Sequence, residues 1–380
     1  MMNLHGKRNI TELTRDELAL WLDEKGIKTY RAVQIFKWVY LKQADTFEEM
    51  TDIGLEIRKL ISQHFTIDRL EKKKIETSKD GSKKYLFGLR DGNHIESVLI
   101  PEKNHYTLCI SSQIGCAQGC RFCMTARGGF VRDLTMGEIV SQVRDIQNDL
   151  EPPSLLTNIV FMGMGEPLAN YRNVVNAIET IISDDAGLDF SSRKVTVSTA
   201  GLVPLLHDLG RDTRVNLAIS LNATENKTRD MLMPVNRKYP IEELIEACRI
   251  YDLKPRNRIT FEYILIKDIN DSSDDAKRLA KLLRPVKSKI NLIPFNEHEM
   301  SEFKRPEENA IRNFQEILMN KNYTTVIRRS KGQDISAACG QLRARNISPK
   351  SLAPFSQQTP IPGTSTTKHE NTGARSQEPE

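Results

Sequence analysis

Between residues 105 and 330 the chain alternates short apolar runs with helix-like segments, and no other feature constrains the fold as strongly. The runs lie at 108–112, 158–162, 194–198, 215–221, 259–266, 289–293 and 324–328. Amphipathic segments follow at 135–149, 171–183, 241–251, 273–283 and 306–320. Repeated strand–helix units argue for parallel strands, because each helix returns the chain to the same end of the sheet. The expected fold class is therefore α/β, a barrel or open sheet with its chemistry on the loops after the strand C-termini.

The loop after the first run carries Cys116-Ala-Gln-Gly-Cys120-Arg-Phe-Cys123. Three thiolates at this spacing can grip three irons of a [4Fe–4S] cube, whereas a closed cluster normally takes four cysteines. The fourth iron is left open to a small molecule. An open iron suits S-adenosylmethionine, whose sulfonium can be split reductively into a radical. The spacing is that of the radical S-adenosylmethionine superfamily, and Phe122 fits the aromatic usual before the third cysteine. A structural zinc site using Cys109 is the plainer alternative. Such sites usually show a second ligand pair, and none is present. Six cysteines in 380 residues and no apolar opening segment argue against a disulfide framework and for a reducing cytoplasm.

Hydrophobic residues make up 39% of the chain, and no apolar run approaches the roughly eighteen residues of a membrane span. A net charge of +5 is mild support for a polyanionic partner. Aromatics at 6% do not advertise a base-stacking sheet. Residues 1–65 read as an N-terminal helical accessory domain, with helices at 13–25, near a Thr14 cap, and at 30–42. Residues 66–104 read as a small antiparallel extension, with turns at Asp80-Gly81 and Asp91-Gly92. Its lysine run 72–74 reads as a solvated face. Residues 105–345 form the catalytic domain. From 346 to 380 the Ser, Thr, Pro and Gln content predicts a disordered tail that cannot build a core.

Phe161-Met-Gly163-Met-Gly165-Glu166-Pro167-Leu168 ends the second run. Its glycines let backbone approach a ligand, and Glu166 can accept from an ammonium group, although alone the segment is an ordinary turn. Ser198, Ser220-Leu221-Asn222 and Asn296 stand at later strand ends, where ribose contacts and strand caps are equally good readings. Cys248 lies on an amphipathic segment and reads as core. Cys339 lies among small residues downstream of Arg328-Arg329-Ser330-Lys331, where nearby cations favour a thiolate; a catalytic and a structural role stay open from composition.

Taken together, the chain resembles the dual-specificity ribosomal and transfer RNA adenine C2-methyltransferases, the RlmN family of the radical S-adenosylmethionine superfamily. The resemblance runs to about residue 345. It is carried by Cys109-Ile-Ser-Ser-Gln-Ile-Gly-Cys116, the triple cysteine, Gly163-Met-Gly-Glu-Pro-Leu168, Met233-Pro-Val-Asn236 and Ala338-Cys339-Gly-Gln-Leu342. It implies a partial (β/α) barrel with an N-terminal domain that helps hold RNA. It implies cluster ligation by Cys116, Cys120 and Cys123, and S-adenosylmethionine contacts from Gly165, Glu166, Ser198, Ser220, Leu221, Asn222 and Asn296. Cys339 would carry the methyl group, Cys109 would be its disulfide partner and Glu96 the base. The family usually has His where this chain has Asn222, so altered contact geometry is expected there. A sister group methylates C8 of the same adenine; Pro167 and the residues around Lys37-Trp38 favour the C2 branch.

The implied targets are adenine 2503 of 23S rRNA, free during assembly, and adenine 37 of tRNAs. C2 is electron-poor and cannot attack a sulfonium, which is why the family uses two S-adenosylmethionine per turnover, an S-methylcysteine and a covalent RNA–protein adduct. A flipped or looped nucleotide is required, since a duplex hides C2. An electron donor and a disulfide reductant complete the expected partners of a monomer with no membrane association. Other radical chemistries lack a reason for pairing Cys109 with Cys339. A metal-stapled RNA-binding protein without catalysis is the alternative of a different class.

Overall fold

The computed structural model describes residues 6–254, 257–298 and 301–344. The expected tail from 346 lies outside the described residues. Thr14 caps the first helix, Arg15–Glu24, in a reciprocal capping box with Glu17. The second expected helix is α-helical over Arg31–Phe36 and widens into a π-helical turn at Lys37–Leu41. Fully buried Arg144 lies against this turn. Its guanidinium donates to the Val39 carbonyl at 3.0 Å and the Ala44 carbonyl at 2.7 Å. A buried cation without such acceptors would cost several kcal/mol. A third helix, Leu55–His64, completes the N-terminal region.

Ten strands form one sheet: β1 (Glu71–Thr77), β2 (Lys83–Gly88), β3 (His94–Pro101), β4 (Tyr106–Cys109), β5 (Leu156–Phe161), β6 (Val195–Thr199), β7 (Asn216–Ser220), β8 (Ile259–Leu265), β9 (Ser288–Pro294) and β10 (Thr325–Ile327). Their spatial order follows the sequence, with β1 and β10 at the edges. β4 to β10 are parallel throughout, so the seven expected runs are the seven parallel strands of a partial barrel. β1 to β3 form the expected antiparallel meander, but not a sheet of their own. β3 pairs with β4 in the register Val98↔Cys109, which makes the meander the continuation of the large sheet. Glu96 and Cys109 thereby come onto adjacent strands.

Helices Met136–Gln147, Tyr171–Ile182, Ile241–Ile250, Ser273–Leu282 and Glu308–Met319 occupy the expected intervals. Ile139, Val140, Val143 and Ile146 of the first join Leu108, Ile159 and Val197 of the sheet in one apolar core. Burial of such side chains stabilises the fold by about 1.5–3 kcal/mol each. Two further helices, Val203–Asp212 and Asn226–Leu232, complete the strand connections after β6 and β7. Among the described residues no helix is long and apolar enough to cross a membrane.

Candidate active site

The loop between β4 and the helix starting at Met136 folds as a small antiparallel ribbon, Gln113–Gly115 against Phe130–Asp133, with the cysteines in its bend. Gly115 sits in left-handed backbone where the strands cross. A Cβ there would lie 1.8 Å from the Gly129 carbonyl oxygen, so no other residue fits. The Cys116 amide donates to that carbonyl at 2.8 Å, and the Cys123 amide donates to the Cys120 carbonyl at 3.0 Å. All three cysteines open onto one cavity at the C-terminal ends of the parallel strands, walled by Phe122, Ala126 and Met233.

Their thiols are unbonded. Burial pushes Cys116 up to about 12 and Cys120 well above its usual value, in each case reinforced by neighbouring cysteines. Thiols crowded in one largely apolar pocket suit a bound cation that would ionise them. Among the described residues no set of His, Cys, Asp or Glu side chains converges on a single ion. A [4Fe–4S] cluster would take one thiolate on each of three irons, and three cysteines opening onto one cavity could supply them.

Gly163 and Gly165 pass close under the β4 end. A Cβ on Gly163 would meet the Ile110 carbonyl at 2.6 Å, and one on Gly165 would meet Gln113 at 2.5 Å. Gln113 in turn accepts the Glu166 amide at 2.8 Å. The buried Glu166 carboxylate accepts from the Leu168 amide at 3.0 Å and from the Ala200 amide at 2.7 Å. Burial raises its proton affinity against these donors. It faces the cavity with lone pairs left for an ammonium ligand.

Ser198, Ser220 and Asn222 also line the cavity. Asn222 adopts left-handed backbone with φ 58°, which Asn tolerates better than most residues. Its side chain is committed inside the protein. The carbonyl oxygen accepts the Ile264 amide at 2.8 Å, and the NH₂ donates to Met233 Sδ at 3.2 Å. Leu221 and Asn296 are placed differently. The Leu221 side chain is buried in the main core, and its backbone bonds to Glu262 and Arg229. Asn296 lines a separate polar depression with Arg329 and Ser330 and accepts from Gln333 at 2.9 Å.

Cys339 follows β10 and opens onto the same cavity as the cluster cysteines. Its side chain is exposed to that space although protein surrounds it. Burial raises its thiol pKa, and the Arg328 guanidinium opposes the rise. Cys109 is buried behind the cavity wall among Val98, Met164, Ala337 and Leu342. Burial takes its thiol up to about 12, with Cys339 the largest charge acting on it. Ala337 and Leu342 flank Cys339 in the chain, so Cys109 packs against the loop that carries it. Glu96 is also buried, and its Oε2 accepts the Arg343 amide at 2.6 Å, which ties β3 to the Cys339 loop.

Sequence reasoning missed Glu262. It lines the cavity from within β8, with Oε1 bonded to Asn291 at 2.9 Å and Oε2 without a partner. Its signal was an acid inside an otherwise apolar strand.

A family model described as the ribosomal RNA large subunit methyltransferase N-terminal domain matches residues 8–67, and the radical SAM superfamily model matches residues 110–283. The dual-specificity RNA methyltransferase RlmN of Desulfosudis oleivorans is 58% identical over 337 residues, covering 89% of this chain and 91% of that protein. Its counterpart in Geobacter sulfurreducens is 52% identical, covering 89% of this chain and 92% of its own length. A radical SAM methyltransferase from Sphaerobacter thermophilus, solved by crystallography, superposes with a TM-score of 0.83 at 41% identity, covering 89% of this chain and 99% of that one.

Proposed function

Because the chain belongs to the RlmN family of dual-specificity RNA methyltransferases, we propose that it methylates C2 of an exposed adenine in 23S rRNA and in tRNA. It is a radical S-adenosylmethionine enzyme, and its cofactors are a [4Fe–4S] cluster and S-adenosylmethionine. The observation that carries the site assignment is that Cys339 opens onto the cavity of Cys116, Cys120 and Cys123, on a loop whose Ala337 and Leu342 pack with Cys109.

Cys116, Cys120 and Cys123 hold the cluster; Gly165, Glu166, Ser198, Ser220 and Asn222 hold S-adenosylmethionine. The Leu221 and Asn296 contacts of the family belong to the same proposal, Leu221 through its backbone. When bound, cluster and cofactor supply a carbon radical able to abstract hydrogen from a methyl group. Cys339 accepts the methyl group by nucleophilic attack, with Arg328 beside it favouring the thiolate. Its sulfur then links enzyme to RNA through the transferred carbon. Glu96 would take the C2 proton, with the adduct's odd electron passing to the loaded cluster. The Cys109 thiolate then attacks the Cys339 sulfur, and an S–S bond forms as the Cys339 sulfur–carbon bond breaks. The carbon keeps that electron pair and gains a proton to become the methyl group, leaving a Cys109–Cys339 disulfide.

The same reading assigns residues 1–65 to RNA binding, 66–104 to the extension that supplies Glu96 and 105–345 to catalysis. It takes free 23S rRNA during assembly as a substrate and requires an electron donor and a disulfide reductant in the cytoplasm, with the enzyme acting as a monomer. Anaerobic reaction of cluster-loaded enzyme with methyl-labelled S-adenosylmethionine and unmodified 23S rRNA fragment, followed by nucleoside mass spectrometry, tests it. Labelled 2-methyladenosine is the expected product. Labelled 8-methyladenosine would move the chain to the C8 branch, and the absence of both would overturn the substrate assignment.

A further inference from the structure

We propose that Lys84 is a positioning residue that holds Glu96 and the Cys339-bearing loop together. The proposal rests on the reading of Glu96 as the base. Lys84 lies in β2, beside the β3 strand that carries Glu96. Its side chain is only 8% exposed, and lysine is rarely buried without partners. Its ammonium has three. It donates to the Ile335 carbonyl at 2.6 Å and lies 3.2 Å from Glu76 Oε2 and 3.5 Å from Glu96 Oε1. Three N–H donors thus meet three acceptors.

Ile335 belongs to the turn that leads into Ala337-Ala338-Cys339. Glu96 binds the other side of the same loop through the Arg343 amide. One buried cation therefore fixes the carboxylate and the chain that carries the nucleophile at once. The charged groups facing Glu96 are few. Lys84 faces it from β2, and Glu76 from β1, where Lys74 also holds Glu76 at 3.0 Å; the loop contributes the Arg343 main chain. Behind β3, Ser111 and Gln142 are neutral and bond to the Glu96 carbonyl and to Ser97.

These charges act in opposite directions. Burial pushes Glu96 toward its protonated form, Lys84 toward the carboxylate, and Glu76 back toward protonation. Only the carboxylate can take the C2 proton. Removing the ammonium leaves the base protonated to higher pH, while removing the Glu76 charge leaves Lys84 to act on Glu96 alone.

The test uses cluster-loaded enzyme and RNA fragment under anaerobic conditions. The RNA–protein adduct is followed on denaturing gels across a pH series, with Cys339 methylation read by mass spectrometry. Lys84→Met is expected to methylate Cys339 and form adduct, but to resolve it about tenfold more slowly at neutral pH, with the midpoint of resolution raised by about one unit. Glu76→Gln, at a half-buried position, is expected to lower that midpoint. Lys84→Arg keeps the charge and should lie nearer the parent than Lys84→Met. The proposal is overturned if the two midpoints stay put or move together, or if Lys84→Arg matches Lys84→Met. Should Lys84→Met fail to fold, an unmoved Glu76→Gln midpoint overturns it alone. Glu96→Gln separates the layers. If that variant resolves adduct like the parent, the assignment of Glu96 fails; if it stalls while Lys84→Met behaves as the parent, only the role of Lys84 fails.

Discussion

The Met124 amide donates to the Gly340 carbonyl at 2.7 Å, so the loop of cluster cysteines and the loop carrying Cys339 are joined by a backbone hydrogen bond. A second bond, from Thr125 Oγ1 to the Leu342 carbonyl at 2.7 Å, reinforces the joint. The proposed methyl acceptor, Cys339, is thereby referenced to the loop of Cys116, Cys120 and Cys123, although the two lie far apart in the sequence.

From this arrangement the two active-site cysteines should fail differently. Cys339→Ala removes the group placed to carry the methyl, so neither methylated RNA nor adduct is expected. Cys109→Ala leaves the carrier intact and removes the resolving thiol. A crosslinked RNA–protein species should then accumulate on denaturing gels. Equal turnover by both variants would sink the scheme.

Arg328 is expected to govern the first methyl transfer. Burial already lifts the Cys339 pKa, and the guanidinium works against it. Arg328→Met removes that opposition, so the pKa rises further and less thiolate is present at any given pH. Cys339 methylation should slow about tenfold at neutral pH and recover as pH rises, consistent with a nearby-charge effect of about one unit. A pH series of protein-bound methyl label gives the answer; a parallel displacement of the curve with no pH dependence would point to lost geometry in place of lost charge.

Much of this was legible in the chain, for a reason that also marks where it was not. Most residues of the parallel strands are buried, from β8, buried at six of its seven positions, to β10, where Val326 is half exposed, and all seven were visible as short apolar-rich runs. The helix Val203–Asp212 was not, because Gly201 and Pro204 look like breakers while Pro204 in fact opens the helix. The place of Glu96 was not legible, because the pairing of β3 on both sides is a tertiary fact. Nothing in residue spacing brings Cys109 to Cys339. The resemblance implied their pairing, and the β3–β4–β5 register packs Cys109 in one apolar cluster with Ala337 and Leu342 of the loop that carries Cys339.

Gly165 should accept no side chain. Its φ of 102° lies where L residues are strained, and a Cβ would sit 2.5 Å from Gln113 Cβ and 2.7 Å from the Gln113 amide nitrogen. Gly165→Ala must displace Gln113, which also holds the Glu166 amide. Loss of about 1–3 kcal/mol of stability and a weakened affinity for S-adenosylmethionine are expected together. Thermal melts with and without the cofactor would show both. An unchanged melt would mean the turn relaxes freely.

The final prediction concerns Asn222, which lines the cavity. If Asn222 served only as a ligand contact, Asn222→Ala would lower cofactor affinity and leave the apo protein as stable as before. The side chain also has a structural role, because it is 1% exposed and its oxygen is the acceptor for the Ile264 amide. Alanine leaves that partly buried N–H without its acceptor, at a cost of about 1 kcal/mol. It also places a residue less tolerant of left-handed backbone at φ 58°. The apo protein should therefore melt several degrees lower, before any cofactor is added. A normal apo melt with weakened binding would return Asn222 to a purely ligand-facing role.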